Sequence, residues 1–99
     1  MLSDPFFSIV VRQSDAGTVV TVAGELDVAT APELAQALAD AEGQVTVDLS
    51  ATTFADPAAL RVLLAARADG VRIRVLPRRG GQVARLFALT QTEELLSVA

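Results

Sequence analysis

Residues 45–64 read Val-Thr-Val-Asp-Leu-Ser-Ala-Thr-Thr-Phe-Ala-Asp-Pro-Ala-Ala-Leu-Arg-Val-Leu-Leu, and the order of signals in this stretch sets the fold class. Val45, Val47 and Leu49 alternate with Thr46, Asp48 and Ser50, the two-residue period of a strand with one buried face. A short loop follows, and Asp56-Pro57 then reads as the N-cap and first residue of a helix. The aspartate can accept from free N–H groups, and proline suits the first turn because its missing N–H would be unpaired there anyway. Leu60, Leu63 and Leu64 form that helix's apolar stripe, and Gly70 ends it. Val71, Ile73 and Val75 then alternate with Arg72 and Arg74 as a further strand. Strand, helix and strand in this order imply neighbouring parallel strands joined by a crossover helix.

Toward the N-terminus, Phe7, Ile9 and Val11 alternate with Ser8, Val10 and Arg12 as a first strand. Asp15-Ala16-Gly17 supplies a turn, and Val19 to Ala23 forms a second strand closed by Gly24, so the chain opens on an antiparallel hairpin. Thr30 and Glu33 are spaced as a Thr-x-x-Glu capping box before a helix with Leu34, Ala37, Leu38 and Ala41 on one face and Gly43 as its stop. Toward the C-terminus, Pro77-Arg-Arg-Gly-Gly connects to a helix carrying Val83, Leu86, Phe87 and Leu89, and residues 92–98 read as a short final one. The order is β-β-α-β-α-β-α in a single domain over residues 1–99: an α/β fold with one layer of helices on one mixed sheet.

Composition narrows the function. The 99 residues leave room for one core, and the 52% apolar content with positive mean hydropathy fits a well-filled globule. The absence of cysteine and histidine excludes disulfides and thiolate metal sites, and removes the commonest metal ligand and general base. Net charge is −4, and all eight basic residues are arginines, scattered except for the pair Arg78-Arg79. An acidic chain without a basic stripe is not expected to bind nucleic acid, whose non-specific affinity comes mostly from phosphate contacts. No apolar run approaches the roughly 20 residues of a membrane span, and residues 1–7 lack the basic start of a secretory signal. A cytoplasmic protein without membrane insertion, monomeric or weakly dimeric, is expected.

Catalysis is not expected, because the sequence offers no constellation for it. Asp48 and Asp56 are the one candidate carboxylate pair, and each has a simpler role, in local backbone bonding and in helix capping. No glycine-rich phosphate loop occurs, and no catalytic residue, metal or cofactor is assigned. Arg78, Arg79, Gly80 and Gly81 precede a helix, whose free N–H groups and dipole favour anions. That segment reads either as an anion site or as a solvated turn.

Three blocks in order carry a family signature: Gly24-Glu25-Leu26-Asp27; Val47-Asp48-Leu49-Ser50 with Thr53-Phe54-Ala55-Asp56 and Leu60-Arg61-Val62-Leu63-Leu64; and Leu86-x-x-Leu89-Thr90 followed by Glu94-Leu95-Leu96. From about Phe7 to Val98 the chain resembles the STAS domain, named for sulphate transporters and anti-sigma-factor antagonists. The resemblance implies a mixed sheet of four to five strands, helices mainly on one face, and no catalytic activity. Free-standing members bind an anti-sigma factor that is also a serine kinase. That kinase phosphorylates a serine in an Asp-Ser-Ser/Thr-Gly motif at the start of the second main helix, which ends the binding. A phosphate adds about two negative charges and three acceptor oxygens, enough to break a packed interface by repulsion and desolvation.

The matching stretch here is Asp56-Pro57-Ala58-Ala59, with Ala58 aligned to the phosphoacceptor. Asp56 is retained and the other three motif positions have changed, so this position has no hydroxyl to phosphorylate. Ser50, Thr52 and Thr53 lie nearby as alternative acceptors or as loop residues bonded to local backbone. Pro57, Ala58 and Ala59 form a methyl-lined candidate contact patch, fixed in a dephosphorylated-like state, with Asp27, Thr53, Asp56 and Arg61 as its polar rim. The resemblance leaves a second role open, a soluble accessory subunit of a lipid-transporting ABC system that meets an ATPase subunit. A nucleotide- or anion-binding domain built on Arg78 and Arg79 is the third.

Overall fold

Strand β1 (Phe7–Ser14) pairs antiparallel with β2 (Gly17–Leu26) across a turn at Asp15-Ala16, where Ser14 faces Gly17 and its hydroxyl accepts from the Ala16 N–H at 3.2 Å. The coordinates are a computed structural model, described over residues 7–77 and 81–89. Gly17 has φ +126°, and a Cβ added there would run into the Gln44 carbonyl oxygen, which also accepts from the Thr18 N–H at 2.9 Å. Gly17→Ala is therefore expected to cost roughly 1–3 kcal/mol in a urea unfolding titration, from backbone strain plus a collision with main chain.

After β2 come α1 (Ala31–Asp40), β3 (Val45–Ala55), α2 (Pro57–Ala68), β4 (Ile73–Pro77) and α3 (Gly81–Leu89), the order the sequence implies. The described sheet has four strands in the order β1-β2-β3-β4, with β2, β3 and β4 mutually parallel. Successive crossovers that step in one direction with the usual hand leave their helices on one face. Val20, Val22, Val45, Val47, Leu49 and Val75 of the sheet accordingly form a single core with Leu34 and Leu38 of α1, Ala59, Leu60 and Leu63 of α2, and Val83 and Phe87 of α3. On the alternate sheet positions Val10, Val19 and Leu76 stay exposed. Among the described residues no helix is long and apolar enough to cross a membrane.

Several boundaries differ from the sequence expectation for identifiable reasons. Gly24, at φ +93°, does not close β2, which continues to Leu26. The segment after Ser50 is not a loop, since β3 runs on to Ala55. Two register shifts against β2, at Thr21/Ala23 and at Gly24/Glu25, give β3 extra residues, which puts its alternation out of phase. Thr52 and Ala55 thus become the buried positions. The Thr30–Glu33 capping box does not form: Thr30 has near-helical dihedrals and makes no side-chain cap bond. Gly43 does not stop α1, which ends at a cap on Ala41. Val71 belongs to the cap of α2 rather than to a strand. Its N–H reaches the Ala66 carbonyl and the Gly70 N–H reaches Arg67, the paired bonds of a Schellman ending with glycine at φ +95°. Residues 78–80 and the expected helix over 92–98 lie outside the described residues.

Candidate functional site

The C-terminal ends of β2 and β3 pair through Leu26 and Ala55, and from them depart the loop to α1 and the start of α2. Asp56 has an extended backbone, and its carboxylate accepts from the Ala58 N–H at 2.8 Å, as the sequence implies. The Asp56 N–H in turn donates to the Leu26 carbonyl at 2.9 Å, which ties α2 to β2. With Pro57 at the first position and the Ala58 N–H taken, the end of α2 is capped by its own chain and is not an open anion site.

The neighbouring loop is braced by two side chains. Asp27 Oδ1 accepts from the N–H groups of Ala29 and Thr30 at 2.9 and 3.0 Å. The Thr30 hydroxyl accepts from the Asp27 N–H at 2.8 Å, and its proton has the Glu25 carbonyl and the Asp27 carboxylate within reach, each at 3.1 Å. Thr30 is buried, so its sequence signal had the right position and the wrong partner: the hydroxyl turns back to the loop instead of capping α1. Thr30→Val keeps the shape and orphans the Asp27 N–H. It is expected to lower stability by about 1–3 kcal/mol, read as a drop in melting temperature with the helical signal retained.

The residues named from the sequence divide by exposure. Pro57, Thr53 and Arg61 are exposed, while Asp27, Asp56 and Ala58 are half-buried. Ala59 is turned into the core at 2% exposure, which removes it from the contact patch. Thr52 is closed as a phosphate acceptor, since it is fully buried with its hydroxyl donating to the Val22 carbonyl at 2.9 Å. Ser50 is exposed, but its hydroxyl and N–H both donate to Asp48 Oδ1, at 2.6 and 2.9 Å. Asp48 is thus bonded to Ser50 and Asp56 to the Ala58 N–H, the local roles that the sequence offers for each. No metal-holding cluster of acidic side chains occurs among the described residues. Of the arginine-glycine segment only Gly81 is described, exposed at the start of α3; Arg78, Arg79 and Gly80 lie outside.

Three residues at this end of the sheet escape sequence reasoning. Val28 and Phe54 are exposed apolar side chains, at 66% and 39%, in the loop after β2 and near the end of β3. An apolar residue that follows Asp27 in a turn is the available signal for Val28. Gln82 of α3 makes two bonds to the Ala55 backbone, from Nε2 to the carbonyl and from the N–H to Oε1, both at 2.8 Å. No local pattern marks such a contact.

The family model described as "Mlab, STAS domain" matches residues 9–97. The chain belongs to the STAS domain family. A crystal structure of an anti-sigma factor antagonist from Mycobacterium paratuberculosis is 31% identical, with a TM-score of 0.80, over 99% of this chain and 92% of that one. The anti-sigma factor antagonist SpoIIAA in its unphosphorylated form shares the fold at 15% identity and a TM-score of 0.72, over 93% of this chain and 88% of that one. So does the STAS domain of an antisigma-factor antagonist from Rhodobacter sphaeroides, at 19% identity and a TM-score of 0.57, over 96% and 100%. No curated protein sequence matches the chain. The STAS domain described here shares the fold of these anti-sigma factor antagonists. Its element order and mixed sheet agree with the α/β fold that the resemblance implies.

Proposed function

We propose that this STAS domain is a protein-docking module that binds a regulatory partner of the anti-sigma-factor, serine-kinase type, and is not switched by phosphorylation at the position Ala58 occupies. The observation that carries the reading is the start of α2. Ala58 sits at its second position with the N–H satisfied by Asp56 and only a half-buried methyl group to present. At that end Val28, Phe54 and Pro57 are exposed apolar side chains, Thr53 and Arg61 are exposed polar ones, and Asp27 and Asp56 are half-buried. Apolar anchors with a polar rim fit a protein surface better than a small polar ligand.

An intact-mass and calorimetric titration with the cognate kinase-type partner and ATP tests this. A stable complex without added phosphate is expected. Failure of every such partner to bind would remove the assignment. The accessory-subunit role in a lipid-transport ABC system would use the same face, and the missing hydroxyl is compatible with it. Transporter genes beside this one, in place of a sigma factor and kinase, would favour that role. Anion binding at Arg78 and Arg79, which lie outside the described residues, would be excluded by a phosphate or nucleotide titration without heat at millimolar ligand.

A further inference from the structure

The ladder between β3 and β4 ends where Leu49 faces Pro77, while β3 continues to Ala55. The outer edge of β3 beyond Leu49 therefore has no strand beside it among the described residues. Part-buried backbone groups on such an edge need partners from elsewhere. At Ala55 one side chain supplies both. The Gln82 amide accepts from the Ala55 N–H through Oε1 and donates to the Ala55 carbonyl through Nε2, each at 2.8 Å. A primary amide is the side chain that can offer a donor and an acceptor side by side, as a neighbouring strand residue does.

Ala55 is followed directly by Asp56, the residue that caps α2 and whose N–H is held by Leu26. The start of α2 is thus fixed from β2 on one side and from α3 on the other. Val83 and Phe87 seat α3 in the core by apolar packing, which is non-directional and leaves register to be set by directional bonds. We infer that Gln82 is a positioning residue, which registers α3 against the end of β3 and so holds the docking face at Pro57 and Ala58 in its binding geometry. Its effect on binding rests on the docking role proposed above, and its effect on the backbone does not.

The test uses Gln82→Met, similar in length and apolar, in the full chain, read by amide hydrogen exchange with NMR. Exchange at Ala55 and Ala58 is expected to speed up by about tenfold or more relative to Val20 and Val47, with unfolding still cooperative. Affinity for the kinase-type partner is expected to fall by a similar factor. Unchanged exchange at Ala58, an equal acceleration at Val20 and Val47, or local loosening with unaltered affinity would each overturn the inference. In the wild type the Gln82 side-chain amide is expected to exchange slowly and to show a cross-peak to the Ala55 N–H. A solvent-fast Gln82 amide overturns the inference even if the variant does not fold. If the wild type binds no kinase-type partner, the docking role fails while the exchange measurements still decide the place of Gln82.

Discussion

Ala58→Asp is expected to reduce partner affinity by at least about 100-fold, roughly 3 kcal/mol, while leaving the fold intact. Ala58 is half-buried at the second position of α2, next to Asp56 and at the same end of the sheet as exposed Val28, Phe54 and Pro57. A carboxylate placed there must lose water when a partner closes over that face, and it stands beside an existing negative charge. The same charge sits at a helix N-terminus, where the dipole favours it by a few tenths of a kcal/mol, so stability should not fall. Thermal unfolding and calorimetric binding, measured on one preparation, separate the two effects. An aspartate variant that binds as the wild type does would place the docking face elsewhere.

Phe87→Ala should have the largest effect on stability, about 3–5 kcal/mol by urea unfolding, a large share of the 5–15 kcal/mol typical of a domain. Phe87 is 1% exposed and belongs with Val83, Val75 and Leu49 to the core cluster. Its removal leaves a cavity under α3, whose other buried residue over Gly81–Leu89 is the smaller Val83. Leu89→Ala on the same helix, at an exposed position, should change stability by less than about 0.5 kcal/mol. Equal losses from the two substitutions would contradict the placement of α3.

The parts of the fold legible in the sequence are those set by local pattern. The alternation of Val45, Val47 and Leu49 and the Asp56-Pro57 start of α2 lie where the residues imply, because strand period and N-cap chemistry act over a few positions. The bulged half of β3 was illegible for the same reason. Extra residues relative to β2 shift the phase, so Thr52 reads as a loop hydroxyl although it is buried and bonded to Val22. Thr30 was found as a polar residue before a helix, but its partner Asp27 depends on how the loop folds back. At the candidate site the absence of a hydroxyl at position 58 is legible in the sequence alone. The inward turn of Ala59, the exposure of Phe54 and the reach of Gln82 to Ala55 arise from packing between elements distant in sequence.

On the proposed reading the STAS scaffold binds its partner without the switch, because the acceptor hydroxyl is absent at Ala58 and the flanking motif positions have become Pro57 and Ala59. Ala58→Ser restores that hydroxyl at a position whose backbone is already held by Asp56. The decisive measurement is intact mass and complex formation for wild type and Ala58→Ser, each incubated with the cognate kinase-type partner and ATP. The wild type should stay bound and gain no phosphate, whereas the serine variant should gain one phosphate at residue 58 and dissociate. Phosphate on the wild type at Thr53 or Ser50 accompanied by release, or no complex with either protein, would contradict the account.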